Sequence, residues 1–219
     1  MGLSEWFFSA AEIIGVAAAS ISGSIIAIKS SLDLFGIIFC AVLTSLGGGA
    51  VRDILINELP PRSFYNYIFL LVAFVSSLSV YIVYRIVSKR RDPKNEHLHK
   101  LFLFFDAVGL ASFTVSGVQI GMNSGHAENG FLCVFLGMTT AVGGGIMRDL
   151  MTARVPMVMH EDIYATASII GGIICYTCLH FGVNGALSVS LSMFIIVLIR
   201  LLAVKFHWSL PKSYGNFEF

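Results

Sequence analysis

Leu46-Gly-Gly-Gly-Ala-Val-Arg-Asp53 recurs 96 residues later as Val142-Gly-Gly-Gly-Ile-Met-Arg-Asp149. The frame reaches back through Thr44, Phe39 and Phe35, which match Thr140, Phe135 and Phe131. Eight of the nineteen positions from Phe35 to Asp53 are therefore identical in the two copies. Forward, Pro60 matches Pro156. A second run matches at a displacement of 94: Glu12-Ile-Ile-Gly15 with Asp106-Ala-Val-Gly109, and Ser22-Gly23 with Ser116-Gly117. Glycines and charged residues coinciding at a fixed spacing read as an internal repeat.

Both copies lie inside apolar runs. A hydrocarbon core about 30 Å thick takes about 20 apolar residues in a helix. The runs at 6–28, 34–56, 64–84, 101–122, 130–152, 163–181 and 185–204 predict seven transmembrane helices. Only 12% of the 219 residues are charged and the mean hydropathy is +0.82, where a soluble domain carries about 25% charge. This predicts a single membrane domain and no soluble enzyme domain. No nucleophile–base pair or metal-ligand set is visible, and no cofactor is expected. The basic residues are too few and scattered to track phosphates, so nucleic acid is not an expected partner. Cys175 and Cys178 sit in one apolar helix without a His or second Cys pair, which favours packing over metal binding.

The expected architecture is an all-α membrane protein of two three-helix repeats, residues 6–87 and 101–181, with a seventh helix at 185–204 outside the repeat. Three is odd, so the second repeat enters the bilayer from the opposite face. The halves should then be related by a pseudo-two-fold axis in the membrane plane. Lys29, Lys89, Arg90, Arg91, Lys94, Lys100, Arg148, Arg154, Arg200, Lys205 and Lys212 all fall on one side of a seven-helix path, and only Arg52 and Arg62 on the other. The positive-inside rule then places the N-terminus outside and the C-terminus in the cytoplasm.

Three successive glycines remove packing and the steric bar to unusual dihedrals. At Gly47, Gly48 and Gly49, and at Gly143, Gly144 and Gly145, they predict helices bent or unwound where they line a cavity. Helix rise places Glu12, Arg52 and Asp53 in the outer third of the membrane, and Asp106, Arg148 and Asp149 in the inner third. Each cluster holds two carboxylates and one guanidinium, a net charge of −1. Ionisable groups at such depth mark ion or substrate paths, and this sign favours cations. Thr44, Thr140 and neighbouring polar side chains (Ser22, Ser45, Ser116, Gln119) are candidate wall groups. Lys29 and Arg200 read as side chains that reach back to the interface.

The paired Gly-Gly-Gly-x-x-Arg-Asp motifs, in two three-helix halves plus a seventh helix, resemble the trimeric intracellular cation channel family, in its prokaryotic branch. The Lys-Glu-Val signature of animal members is absent. The resemblance implies a homotrimer embedded in the lipid of the cell (inner) membrane. Each protomer would have its own pore between the repeats, permeable to potassium and only weakly selective over sodium. The same domain type is also linked with bacterial glycine transport, so a carrier of a small amino acid is the alternative.

Overall fold

The computed structural model describes residues 3–88, 96–160, 163–206 and 208. Lys89, Arg90, Arg91, Lys94 and Lys212, which carry much of the orientation argument, lie outside the described residues.

The described chain is helical. α1 is Leu3–Lys29, α2 Leu34–Leu55, α3 Tyr67–Ser88, α4 Glu96–Gly121, α5 Gly130–Met151, α6 the short Met157–His160, α7 Ala165–His180 and α8 Gly185–Phe206. Six of these are long and apolar enough to cross a membrane. α7, with 16 residues, rises about 24 Å, less than the hydrocarbon core. The chain is thus a multi-pass membrane protein with six candidate spans and one shorter apolar helix.

Local chemistry repeats along with the sequence. Asp33 caps α2 by accepting from the Gly36 amide at 2.7 Å, and Asn129, 96 residues on, caps α5 by accepting from the Leu132 amide at 3.0 Å. Each cap satisfies an amide that helix geometry leaves without a partner. Both helices end through a residue at positive φ, Asn57 (58°) and Ala153 (53°). In each case the next amide closes on the aspartate carbonyl at 2.8 Å, Glu58 on Asp53 and Arg154 on Asp149.

α1, α2, α4 and α5 form the centre, with α1 against α4, α2 against α5, and both diagonal neighbours in contact. α3 packs on α1 and α2 as α7 packs on α4 and α5, while α8 covers α4, α7 and α1. α4 is the most enclosed span and α3 the most peripheral, with 78% and 11% of their apolar windows buried.

Two expectations are corrected here. First, of the two forms expected at the glycines, bent or unwound, the unwound one is overturned: α2 and α5 are α-helical at every residue from end to end. At Gly48 and Gly144 the missing side chain serves close approach between the two helices. A Cβ on Gly48 would collide with the Thr140 carbonyl oxygen, and one on Gly144 with the Thr44 carbonyl oxygen. The two clashes are the same contact with the repeats exchanged. Second, Arg200 does not reach back to the interface. It is only 2% exposed, donates to the Ile163 carbonyl at 3.1 Å, and stacks over the Tyr164 ring at 4.5 Å. α8 packs inward against α7, so a burying neighbour is closer than the membrane surface. Lys29 is exposed.

Candidate functional site

The Arg-Asp pairs close on themselves in the same way. Arg52 Nε donates to Asp53 Oδ1 at 2.9 Å, and Arg148 Nε to Asp149 Oδ1 at 2.8 Å. The second aspartate oxygen holds the returning chain, accepting from the Arg62 amide at 2.8 Å and from the Met157 amide at 2.9 Å. Those amides follow Pro61 and Pro156. The proline that stands in the place of Pro156 is therefore Pro61, and the matching of Pro60 is corrected by one residue. The loop is one residue longer in the first repeat, between the positive-φ residue and the proline.

Beyond these shared bonds the clusters differ. Arg148, 0% exposed, also donates to Asp106 Oδ1 at 2.5 Å and to Ser22 Oγ at 3.4 Å, and stacks over Phe102 at 5.0 Å. Two carboxylates thus neutralise one buried guanidinium, which the low-dielectric interior requires. Arg52, 5% exposed, is ion-paired among the described residues with Asp53 alone. Glu12, the counterpart of Asp106, accepts instead from Ser116 Oγ at 2.5 Å. The expected grouping of Glu12 with Arg52 is therefore a shared cavity wall without an ion pair.

That wall encloses about 370 Å³, opening on the side of the α1 N-terminus. It is lined by Glu12, Val16, Ser45, Gly49, Arg52, Ser116, Gln119 and Thr140, among others. Further along the protomer lies a space of only about 10 Å³, lined by Asp106, Leu110, Ala141, Gly145, Arg148, Ser22 and Thr44. Residue for residue these are repeat counterparts: Glu12 and Asp106, Val16 and Leu110, Ser45 and Ala141, Gly49 and Gly145, Arg52 and Arg148, Ser116 and Ser22, Thr140 and Thr44. One cavity is open and its counterpart holds at most a single water. Asp106 Oδ2 is buried at this small cavity without a hydrogen-bond partner among the described residues. Past Arg148, a third cavity of about 530 Å³ opens on the opposite face between Lys29, His99, Phe102, Asp149, Arg154 and Met157.

The remaining candidates fall as follows. Gly47 faces Met147, and a Cβ added at Gly143 would stand 3.1 Å from the Gly48 Cα. The Thr44 and Thr140 hydroxyls bond their own helices, donating to the Cys40 and Leu136 carbonyls at 2.6 Å each. Their hydrogens are thus engaged, while Thr140 lines the open cavity and Thr44 its counterpart. Among the described residues no group of three potential metal ligands forms. Sequence reasoning missed Glu58, which accepts from Arg62 Nε at 2.6 Å and Ser124 Oγ at 2.9 Å and ties the α2 exit to the end of α4. It also missed Tyr164, Phe102 and Phe113. Aromatics in apolar runs carry no distinguishing mark, although Phe102 does have Phe8 as its counterpart.

Comparison with known proteins gives three kinds of match. The profile of a family described as Glycine transporter matches residues 9–85 and 103–180. The UPF0126 inner membrane protein YadS of Escherichia coli (strain K12) is 38% identical over 202 residues, 91% of this chain and 93% of that protein. YvgT, a UPF0126 membrane protein of Bacillus subtilis (strain 168), is 28% identical over 92% of this chain and 94% of its own length. A structure solved to explain conductance through TRIC cation channels superposes with a TM-score of 0.81 at 31% identity, covering 96% of this chain and 99% of that one. A prokaryotic TRIC channel crystallised in 0.5 M KCl gives 0.84 at 28% identity, over 94% and 100%. The orthologue from Rhodobacter sphaeroides shares the fold, with a TM-score of 0.83 at 22% identity over 92% and 98%.

Proposed function

Since this chain belongs to the Glycine transporter family, whose solved relatives include TRIC cation channels, we propose that it is a channel for monovalent cations, potassium and sodium, with a pore inside each protomer. The repeats have inverted topology, the pore runs between them, and the assembly is a homotrimer in the inner membrane, N-terminus outside and C-terminus cytoplasmic. It is a transport protein and not an enzyme.

One observation carries the reading: the two central cavities lie in series within one chain and are lined by repeat counterparts. A pseudo-two-fold axis through the α2–α5 crossing accounts for this, and for the exchanged Gly48–Thr140 and Gly144–Thr44 contacts. Such reciprocity is what a two-fold produces. The sign of charge supports cations. Glu12 stands on the open wall with Arg52 and Arg62, whose partners Asp53 and Glu58 lie off that wall, and with those partners counted the carboxylates exceed the guanidinia three to two. Asp106 and Asp149 outnumber Arg148, two to one. Asp106 lines the small cavity beside Tyr164 and Arg148, so its carboxylate adds to the negative potential there. Any bend of α2 and α5 at their glycines would be a smooth change of course in an unbroken helix.

Purified protein in planar bilayers under a potassium gradient should give unitary currents that reverse near the cation potential. Asp53→Asn with Asp149→Asn should lower conductance. Unchanged conductance and cation preference in that double variant would make the clusters structural staples.

A second reading is favoured by the inequality of the cavities. A site open to one face whose counterpart is collapsed is the arrangement of a carrier in one of its two states. The open cavity carries both a carboxylate and guanidinia, which suits a small zwitterion such as glycine. Saturable glycine uptake without unitary current would select it.

A further inference from the structure

Of the described residues, Phe113 alone lines both the open cavity and its collapsed counterpart. It lies on α4 and is buried, 9% exposed. The ring is seated over Gly15 of α1, where an added Cβ would stand 3.1 Å from Phe113 Cε1 and 3.2 Å from Cδ1. Its repeat counterpart is Ala19, which lines only the collapsed side. The positions of Glu12, Val16, Ser45, Gly49, Arg52, Ser116 and Thr140 are matched across the repeats by residues of similar size or polarity, while Gln119 has Ile25 as its counterpart. The position of Phe113 differs in size: a large ring stands where symmetry would put a methyl group.

We infer that Phe113 is the hydrophobic gate of the protomer, separating the wet cavity from the ion-paired half of the path. An apolar constriction between hydrated volumes resists ions by excluding water, without needing to be sterically closed. Gly15 sets the resting position of the ring, and the methyl of Ala19 leaves the opposite wall too shallow to occlude without it. The inference rests on a path through the protomer, whether for a channel or a carrier. It assigns the aperiodic residue, and not the Arg148 ion pair, as the first barrier met from the open side.

The test is accessibility across the ring. In a background lacking Cys40, Cys133, Cys175 and Cys178, a single cysteine is placed at Ala141, on the collapsed side, or at its counterpart Ser45, on the open side. A small methanethiosulfonate reagent is then applied to purified protein. Ser45→Cys should react readily whatever stands at position 113. Ala141→Cys should react slowly with Phe113, and about tenfold or more faster with Phe113→Ala, because reactivity scales with the fraction of time the site is open. Phe113→Leu, which keeps an apolar plug, should restore slow labelling, and size-exclusion chromatography confirms that each variant is folded. Equal labelling of Ala141→Cys with Phe113, Ala and Leu overturns the gate. The result holds whichever transport class applies. Recording the unsubstituted protein separately decides whether the channel reading stands, and if it does, Phe113→Ala should also raise open probability.

Discussion

Gly48 of α2 lies so close to the carbonyl of Thr140 on α5 that no side chain fits between them. The obstacle is backbone, which cannot rotate away. Gly48→Ala should therefore push the two helices apart, at a cost at or above the about 1–3 kcal/mol of ordinary overpacking. Gly144→Ala should do the same by the exchanged contact with Thr44. Gly49 is different: its added Cβ would meet nothing nearer than Arg52 Nη2 at 3.6 Å. Gly49→Ala should be neutral or stabilise by up to about 1 kcal/mol through helix propensity. Thermal unfolding in detergent, followed by loss of monodispersity, separates these cases. Equal damage from all three substitutions would revive the idea that the run is needed for its flexibility.

How much was readable beforehand follows from the same residues. The repeat was plain because one backbone plan is executed twice, and Gly, Arg and Asp each meet a demand no other residue meets as well. The role of the glycines was not, because helix unwinding and close helix approach both ask for a missing Cβ and leave the same mark. The Pro60 frame slipped because the extra residue lies in a loop, where backbone length is cheap. Arg200 looked like an interface residue because depth was counted along one helix, while burial came from α7 and Tyr164. Phe113 was invisible as an apolar residue in an apolar span, although its failure to match Ala19 was there to be seen.

The unequal ion pairs give a second prediction. Asp106→Asn leaves Arg148 fully buried with one of its two carboxylates gone, a change that costs about 3–5 kcal/mol where a buried pair is broken. Glu12→Gln keeps an oxygen to accept from Ser116 and loses only the charge on that bond at a wetted wall, at most about 1 kcal/mol. Melting temperatures of the two variants should therefore differ clearly, with Asp106→Asn the lower. Equal losses would mean that Glu12 and Arg52 are paired in the membrane.

The Glu58 link should respond to pH. Its hydrogen bond from Arg62 holds the Glu58 carboxyl below the ordinary carboxylate range, with Ser124 adding to the effect. A depressed pKa means that the link contributes fully above that range and is lost as pH falls through the folded value. The pair is partly exposed, 45% at Arg62 and 33% at Glu58, so the effect is at most about 1 kcal/mol. Glu58→Gln should melt slightly below the unsubstituted protein at neutral pH, and the gap should close as the pH falls below the ordinary carboxylate range. A gap that is independent of pH would show that the charge contributes nothing there.

The last prediction concerns the cavity on the far face, where Lys29 and Arg154 stand with Asp149. The buried cluster of Asp106, Asp149 and Arg148 carries a net charge of −1. Adding Lys29 and Arg154 brings this end of the path to +1. A cation leaving through it meets an unfavourable mouth, and the negative excess inside is partly cancelled for any ion approaching from that side. Both side chains are exposed, so their influence is a field effect and should be screened. The Debye length is about 10 Å at 0.1 M salt and about 3 Å at 1 M. Lys29→Gln with Arg154→Gln turns the mouth to −1 without touching the Arg148 pairs. Single-channel conductance in 0.1 M potassium chloride should rise, and the reversal potential in a gradient should move toward the cation value. Both changes should shrink at 1 M. A double variant with unaltered conductance and reversal potential at 0.1 M would mean that ions do not pass between Lys29 and Arg154, and the path would have to leave the protomer elsewhere.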